Sequence, residues 1–285
     1  MATPETQFSP GTFAVHRDHV ETALKLAHRV HRAKFRASDD DDELPDGPDG
    51  DRDDDTAEDI RQTLWANGEN AGSLAIINVN GILMRGCPAC SEWGLVDYEE
   101  LLDEIHEADN DANVKRIVLV VDSPGGMLTG CPEAAAAIAA LTKPLMVFTS
   151  GMLCSAAYWL AASADMICAT QSSDVGSIGV YRPFCDVSAA FGQMGIEVQL
   201  FTSGAQKGAG YPGTSLTPDQ AALIQTDVDK SAGWFQEHVA TYRPQVDLTL
   251  FDGRSVSGED GAELGIVDAV VADLNEAVGL FLGIT

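Results

Sequence analysis

Ser155 lies where an uncharged stretch of sequence changes from a predicted strand to a predicted helix. No charged residue occurs between Pro144 and Ala164, and the stretch divides into a strand at 145–149, a turn, and a helix at 155–164. A serine at a helix start can cap the helix through its hydroxyl. It can also be a nucleophile on a sharp turn, with its hydroxyl facing a site. The serine and its neighbours alone leave both interpretations open.

Two glycine-containing motifs accompany this serine. The sequence DSPGG (122–126) interrupts a buried strand predicted at 116–123, and two glycines after a proline let the backbone turn without side-chain obstruction. The second motif, SGAQKGAGYP (203–212), presents Lys207 in a glycine-rich loop. Taken singly, the first motif is an ordinary tight turn and the second is a surface loop.

These motifs and their order resemble the signal-peptide-peptidase A family of serine–lysine proteases, and within it the capsid-assembly (prohead) proteases of tailed phages. The likeness covers residues 70–275 and implies the crotonase/ClpP-like α/β superhelix, which is built from β–β–α units. It is carried by DSPGG (122–126), MLCSAAYWLAASAD (152–165), VGSIGV (175–180), SGAQKGAGYP (203–212) and FDGRSVSGEDGAELGIVDAV (251–270).

The resemblance assigns a role to each matching residue. Ser155 corresponds to the nucleophile and Lys207 to the general base. The backbone N–H groups of Gly125 and Gly126 correspond to the oxyanion hole, and Ser177 to a serine that orients the lysine. Such a site needs neither a metal nor another cofactor.

The few histidines of the sequence agree with a lysine as the general base. Residues 61–285 contain only His106 and His238, both in predicted helices, so a Ser–His–Asp triad is hard to build. A lysine acts as a base only where burial without a counter-ion favours its neutral form. Lys207 has no acidic residue between Glu197 and Asp219, in a chain with 44 acidic and 17 basic residues.

The elements that would position these residues alternate between strand and helix. Hydrophobic patterns predict an α/β fold with a parallel sheet and crossover helices, which agrees with the fold of the family. We predict a strand and turn at 73–84, strands at 116–123, 145–149, 166–169 and 197–201, and helices at 98–110, 133–142, 155–164 and 222–241.

Charge divides the chain into three segments. Residues 1–37 carry a net charge of +3 and predict a basic helical segment, residues 38–60 carry −12 and predict a disordered linker, and residues 61–285 predict the protease domain. The total of −27 disfavours binding to nucleic acid or to an anionic membrane surface. Pairs of histidines in the basic helix could bind a metal, but a solvated or partner-binding helix is favoured: His16, His19, His28 and His31.

Cysteine usage and the start of the sequence predict a cytoplasmic protein. Six cysteines in 285 residues do not make a disulfide scaffold, and we expect all six to be reduced. The pair Cys87 and Cys90 has no second pair with which to form a zinc ribbon. We find no signal peptide, and polar residues interrupt the uncharged stretch at 144–164, so we predict no membrane span.

The leading hypothesis is a serine endopeptidase with a Ser155–Lys207 dyad. If the enzyme belongs to a phage, we expect it to cleave scaffold, portal or capsid proteins on proheads in the host cytoplasm. Its own N-terminal segment would be a further substrate. We also expect a homo-oligomer. The alternatives are a non-catalytic capsid- or scaffold-interacting protein on this fold, a soluble cellular signal-peptide-peptidase-like protease, and a crotonase-type acyl-CoA enzyme.

Overall fold

The computed structural model describes residues 13–15, 63–64, 73–87, 93–250 and 252–283. The predicted acidic linker at 38–60 lies outside the described residues. So does the predicted basic helix, except that Phe13–Val15 forms a strand. The division of the chain into three segments therefore stays a prediction.

The described residues contain thirteen strands and seven α-helices. The strands are β1 Phe13–Val15, β2 Thr63–Leu64, β3 Ser73–Asn80, β4 Ile82–Met84, β5 Leu95–Asp97, β6 Val114–Asp122, β7 Gly125–Met127, β8 Leu145–Thr149, β9 Met152–Cys154, β10 Met166–Ala169, β11 Asp174–Gly176, β12 Ser255–Ser257 and β13 Ala269–Val270. The helices are α1 Tyr98–Asn110, α2 Cys131–Ala139, α3 Ala156–Ala161, α4 Ser188–Gln193, α5 Pro218–Tyr242, α6 Gly258–Glu263 and α7 Leu274–Leu282, and a 3₁₀ turn covers Leu248–Leu250.

The strands form one large sheet and two small ones. The large sheet has the order β13–β10–β8–β6–β3–β2, and all its pairs are parallel except β2 with β3. The small sheets have the orders β1–β7–β4–β5 and β12–β11–β9. This arrangement confirms the α/β class with parallel strands.

A β–β–α unit recurs along the chain, as the resemblance implied. In each unit a longer strand of the large sheet is followed by a short strand of a small sheet and then by a helix. The clearest units are β6–β7–α2 and β8–β9–α3. Each unit therefore crosses from one sheet to another just before its helix, and the loops at these crossings lie close together.

The core explains why the uncharged stretch around Ser155 is so apolar. Every residue of β8 is buried, and so is every residue of α3. Trp159 of α3 stacks on Phe235 of α5, with ring centroids 4.5 Å apart. A charged side chain in either element would lose its hydration without a partner, which carries a large free-energy cost.

An ion pair fastens the end of α5 to this core. The Arg243 side chain is 5% exposed and contacts Asp268 at 2.7 Å. The same guanidinium donates to the carbonyl oxygens of Ala162 (3.0 Å) and Ala164 (2.6 Å), which follow α3. Arg243 thus joins α5, the end of α3 and the loop before β13.

Residues 73–84 form two strands in different sheets, β3 and β4, and several other elements begin or end a few residues from the predicted bounds. Three further elements differ from the prediction. Gly125 and Gly126, predicted as part of a turn, begin the short strand β7. The strand predicted at 197–201 is absent from the described chain there, and the helix predicted at 155–164 is shorter, covering Ala156–Ala161. No helix among the described residues is long and apolar enough to cross a membrane.

The cysteines also differ from expectation at one position. Cys87 is disulfide-bonded, so the expectation that all six cysteines are reduced is wrong for this residue. Four other cysteines are free thiols: Cys131, Cys154, Cys168 and Cys185.

Candidate active site

Two serines have a backbone conformation that L-residues rarely adopt. Ser155 has φ 54° and ψ −120°, and Ser177 has φ 50°. They are the only non-glycine residues with positive φ in the described part of the chain. Such a conformation costs on the order of 1–3 kcal/mol and concentrates at functional sites, where the surrounding structure holds it in place.

Parallel pairing of β9 with β11 brings the two serines side by side. The register aligns Cys154 with Gly176, which are the last residues of their strands, so each serine follows directly after its strand. The Ser155 N–H donates to the carbonyl oxygen of Gly176 at 2.7 Å. The two strained residues therefore lie next to each other at the carboxyl ends of two adjacent parallel strands.

The Ser155 side chain is buried and does not cap α3. Its residue is 1% exposed, and no capping hydrogen bond leaves the hydroxyl, although Ser155 occupies the N-cap position. The Oγ instead contacts the carbonyl oxygen of Gly179 at 3.5 Å, a long and weak hydrogen bond. The capping interpretation is therefore excluded, and the sharp-turn interpretation agrees with the geometry.

The neighbouring thiol faces another direction. The Cys154 Sγ donates to the carbonyl oxygen of Asp174 at 3.3 Å. Burial raises the pKa of the Cys154 thiol well above its ordinary value, so the thiol stays protonated and is a poor nucleophile. Ser155, not Cys154, is the candidate nucleophile at this turn.

The DSPGG turn is tied to the same strand end through Ser123. The Ser123 N–H donates to the carbonyl oxygen of Met152 at 2.7 Å, and the Cys154 N–H donates to that of Ser123 at 3.1 Å. Gly125 has φ 96°, and its N–H donates to the Ser123 Oγ at 3.2 Å. The structure therefore places Gly125 beside the segment that leads into Ser155.

Close packing of β7 against β4 requires a glycine at position 126. Gly126 pairs with Leu83 of β4, and a Cβ atom at this position would overlap the Leu83 carbonyl group. Only glycine lets β7 approach β4 this closely. Gly126 thus keeps the turn in place beside β9.

Among the described residues, no hydrogen bond joins the Lys207 side chain to Ser155, Ser177 or Gly125. Lys207 sits in an exposed turn, where its N–H donates to the carbonyl oxygen of Gly204 at 3.0 Å. Within the described ranges, its ammonium group forms no hydrogen bond or ion pair. The Ser177 Oγ, predicted to orient the lysine, donates to the carbonyl oxygen of Gly253 at 3.3 Å. The hydrogen bonds of the described residues therefore connect Ser155, Ser177 and Gly125 with one another but not with the Lys207 side chain.

A family profile covers the strained serines and the lysine. The profile described as "Peptidase family S49" matches residues 137–279, which is half of the chain. The chain belongs to peptidase family S49. The matched residues include Ser155, Ser177 and Lys207, while the DSPGG turn precedes the match.

Known relatives of this S49 chain include proteins of a phage and of a cell. Capsid assembly protease C of Escherichia phage lambda is 29% identical over 232 residues, which cover 76% of this chain and 53% of the relative. A putative protease of Methanocaldococcus jannaschii is 33% identical over 178 residues, which cover 61% of this chain and 56% of the relative. The chain spans about half the length of the curated relatives it matches.

Among solved structures, the ClpP protease catalytic domain from Plasmodium falciparum is similar to this S49 chain at a TM-score of 0.42 and 11% sequence identity. That match covers 70% of this chain and 86% of the ClpP chain. Likeness at this level is too low to support a conclusion about the site.

Two residues of this S49 site were missed in the sequence. Ser123 is fully buried and holds both Gly125 and β9, yet within DSPGG it reads only as part of a turn. Tyr98 begins α1, and its hydroxyl donates to the carbonyl oxygen of Met127 in β7 at 2.7 Å. Burial raises the pKa of Tyr98 well above its ordinary value, which keeps this donor protonated. The contacts of Ser123 with β9 and of Tyr98 with Met127 join residues far apart in the chain, so the sequence contains no local signal for them.

Proposed function

We propose that this chain is a serine endopeptidase in which Ser155 is the nucleophile and Lys207 the general base. The observation that carries the proposal is the Ser155 conformation: a buried, strained serine at a helix start whose hydroxyl does not cap the helix. Strain at a residue with no structural use for its hydroxyl supports a catalytic use.

The reaction proceeds through an acyl-enzyme. Lys207 accepts the proton of the Ser155 hydroxyl while the Oγ bonds to the scissile carbonyl carbon. The N–H groups of Gly125 and Gly126 donate to the resulting oxyanion, so the Ser123 hydroxyl gives up its hydrogen bond with Gly125. Lys207 then protonates the departing amine, and a water molecule hydrolyses the ester by the same steps. No metal or other cofactor takes part.

A homo-oligomer completes the site in this proposal. Lys207 belongs to a segment that exposes apolar side chains, among them Phe201 (94% exposed) and Met194 (62% exposed). A second copy of the chain packed on this segment removes that apolar surface from water and orders the loop that carries Lys207. Ser177 then positions the lysine near Ser155.

The substrates we propose are proteins of capsid assembly, namely scaffold, portal or capsid proteins, cleaved on proheads in the host cytoplasm. The lambda relative is named a capsid assembly protease, and its similarity extends over 76% of this chain. The N-terminal segment of the chain itself is a further substrate in this proposal. A cellular protease is the second candidate, because the Methanocaldococcus relative is similar over 61% of this chain.

Labelling with a fluorophosphonate probe tests the nucleophile. We expect the full-length protein to be labelled at Ser155, and Ser155→Ala to lose both labelling and peptide cleavage. Lys207→Ala should lower cleavage by about 10²- to 10⁴-fold, the usual effect of removing a general base. Lys230→Ala, on α5 beside Trp234, is the matched control and should keep full activity. Full activity in Lys207→Ala would exclude the dyad, and an unlabelled, inactive oligomer would favour the non-catalytic alternative.

A further inference from the structure

One edge of β7 is occupied by a strand from the far N-terminal part of the chain. β7 pairs with β4 on one side, through Gly126 and Leu83. On the other side it pairs with β1, antiparallel, in a register that aligns Phe13 with Met127 and Val15 with Gly125. β1 is therefore the outer strand of this small sheet, and it covers an edge that begins at a proposed oxyanion glycine.

The direction of β1 leads towards the candidate nucleophile. Because the pairing is antiparallel, the chain runs from the Met127 end of β7 to the Gly125 end as it passes from Phe13 to Val15. The Gly125 end is the one that Ser123 ties to Met152 and Cys154, directly before Ser155. The carboxyl end of β1 thus lies on the side of β7 nearest to Ser155.

An unoccupied edge at this position suits an extended peptide. Strand addition lets a protein hold a peptide backbone through main-chain hydrogen bonds, whatever the side chains are. A peptide that runs in the direction of β1 places the residues before its scissile bond along β7. It places its scissile carbonyl at Gly125, where the proposed oxyanion donors are.

We propose that Phe13–Val15 occupies, within its own chain, the edge of β7 on which substrate backbones pair, and so competes with substrate. This inference rests on the proposed peptidase function. The occupying residues, Phe-Ala-Val, are apolar and uncharged in a chain of net charge −27. Substrates that bind this edge are accordingly extended segments, and Phe-Ala-Val provides a peptide that is known to pair with it.

Competition within the chain has a defined kinetic signature. Only the fraction of molecules in which β1 has left the edge can bind substrate, so the apparent KM rises in proportion while kcat is unchanged. Displacing β1 by mutation should therefore lower KM alone. A change in the catalytic residues themselves would lower kcat instead.

The test uses full-length protein and a fluorogenic peptide, acetyl-Phe-Ala-Val-aminomethylcoumarin. Proline is poorly tolerated in a paired strand, and only alternate residues of an antiparallel strand bond to one neighbour, so Ala14→Pro and Val15→Pro are both made. Ala2→Pro, the same substitution elsewhere in the segment, is the matched control. We expect at least one of the two β1 variants to lower KM by about tenfold at unchanged kcat, a change of about 1.4 kcal/mol.

A second measurement does not depend on turnover. In a Ser155→Ala background, amide hydrogen exchange at 125–127 should be faster in the β1 variant, and acetyl-Phe-Ala-Val-amide should slow it again. If all forms cleave the peptide with equal KM values and show equal amide exchange, β1 does not compete with substrate. The proposed peptidase function would be unaffected by that result. Absence of probe labelling and of cleavage in every form would remove the proposed function, and the inference with it.

Discussion

At the scale of single residues, Ser155 and Ser177 are held in a conformation that glycine adopts more readily. The two positions differ in what their side chains do. The Ser155 Oγ has one long contact with Gly179, whereas the Ser177 Oγ donates to Gly253 at 3.3 Å and its N–H donates to the Arg254 carbonyl oxygen at 2.9 Å. Ser177 therefore combines backbone strain with a structural hydrogen bond.

An alanine variant is usually more stable than a glycine variant, and we expect the opposite order at position 177. Ser177→Ala loses the hydrogen bond and keeps the strain, while Ser177→Gly loses the bond and relieves the strain. We expect the glycine variant to have the higher free energy of unfolding, by about 1 kcal/mol, in urea titrations. At the exposed helical position Thr226, the glycine variant should be the less stable one. An alanine variant at least as stable as the glycine variant at 177 would contradict the strain.

At the scale of elements, sequence patterns were sufficient wherever local signals agree. The helix predicted at 98–110 is observed as Tyr98–Asn110, since its apolar spacing is regular and Asp97 caps it by accepting from the Glu99 N–H. The strand predicted at 145–149 is also observed with those bounds. Both elements are defined by residues close to one another in the chain.

The misassigned elements depend on partners distant in the chain. Gly125 and Gly126 have the composition of a turn, and only their pairing with β4 and β1 makes them a strand. Residues 197–201 have strand-forming side chains, but in the structure Leu200 and Phe201 are exposed and pair with no strand in the described chain. Hydrophobic alternation alone does not supply the neighbour that a strand needs.

The site could be predicted only in part for the same reason. The uncharged strand–turn–helix pattern drew attention to Ser155 but left a helix cap and a nucleophile both open, and the resemblance to the family assigned the catalytic role. Ser123 and Tyr98 could not be found, because their roles depend on contacts with β9 and with Met127, which are distant in the chain. The position of Lys207 relative to Ser155 likewise depends on packing that sequence spacing does not define.

The Arg243 ion pair holds several elements together, and its loss should be costly. Arg243→Met would leave Asp268 and the carbonyl oxygens of Ala162 and Ala164 without their cationic donor. Breaking a buried pair by removing one partner costs about 3 kcal/mol, and we expect that loss in the free energy of unfolding. Arg254→Met breaks an exposed pair with Asp252 and should change stability little. Similar urea midpoints for the two variants would contradict a structural role for Arg243.

At the scale of the whole molecule, the proposed function makes cleavage depend on assembly through the exposed apolar segment around Lys207. Phe201→Asp places a charge on an apolar side chain that is 94% exposed and should shift the proposed oligomer towards monomers in sedimentation experiments. The rate of peptide cleavage should fall together with the molecular mass of the assembly. Leu223→Asp, at a half-exposed position on α5, is the control and should change neither. An active monomer of the Phe201 variant would contradict completion of the site by a second copy.

The register in which β9 pairs with β11 determines which residue stands at the position of the candidate nucleophile. Each crossing between sheets contributes one part: the β6–β7 crossing brings Ser123 and Gly125, the β8–β9 unit brings Ser155, and β11 brings Ser177. A slip of one residue between β9 and its neighbours would present Cys154 or Ala156 in place of the serine, and would turn every side chain of the strand to its opposite face. Because Leu153 and Cys154 are fully buried, such a slip would expose part of the core. The hydrophobic packing of this strand therefore also determines which side chain occupies the nucleophile position. A chain with a shifted register would lose stability as well as the catalytic serine.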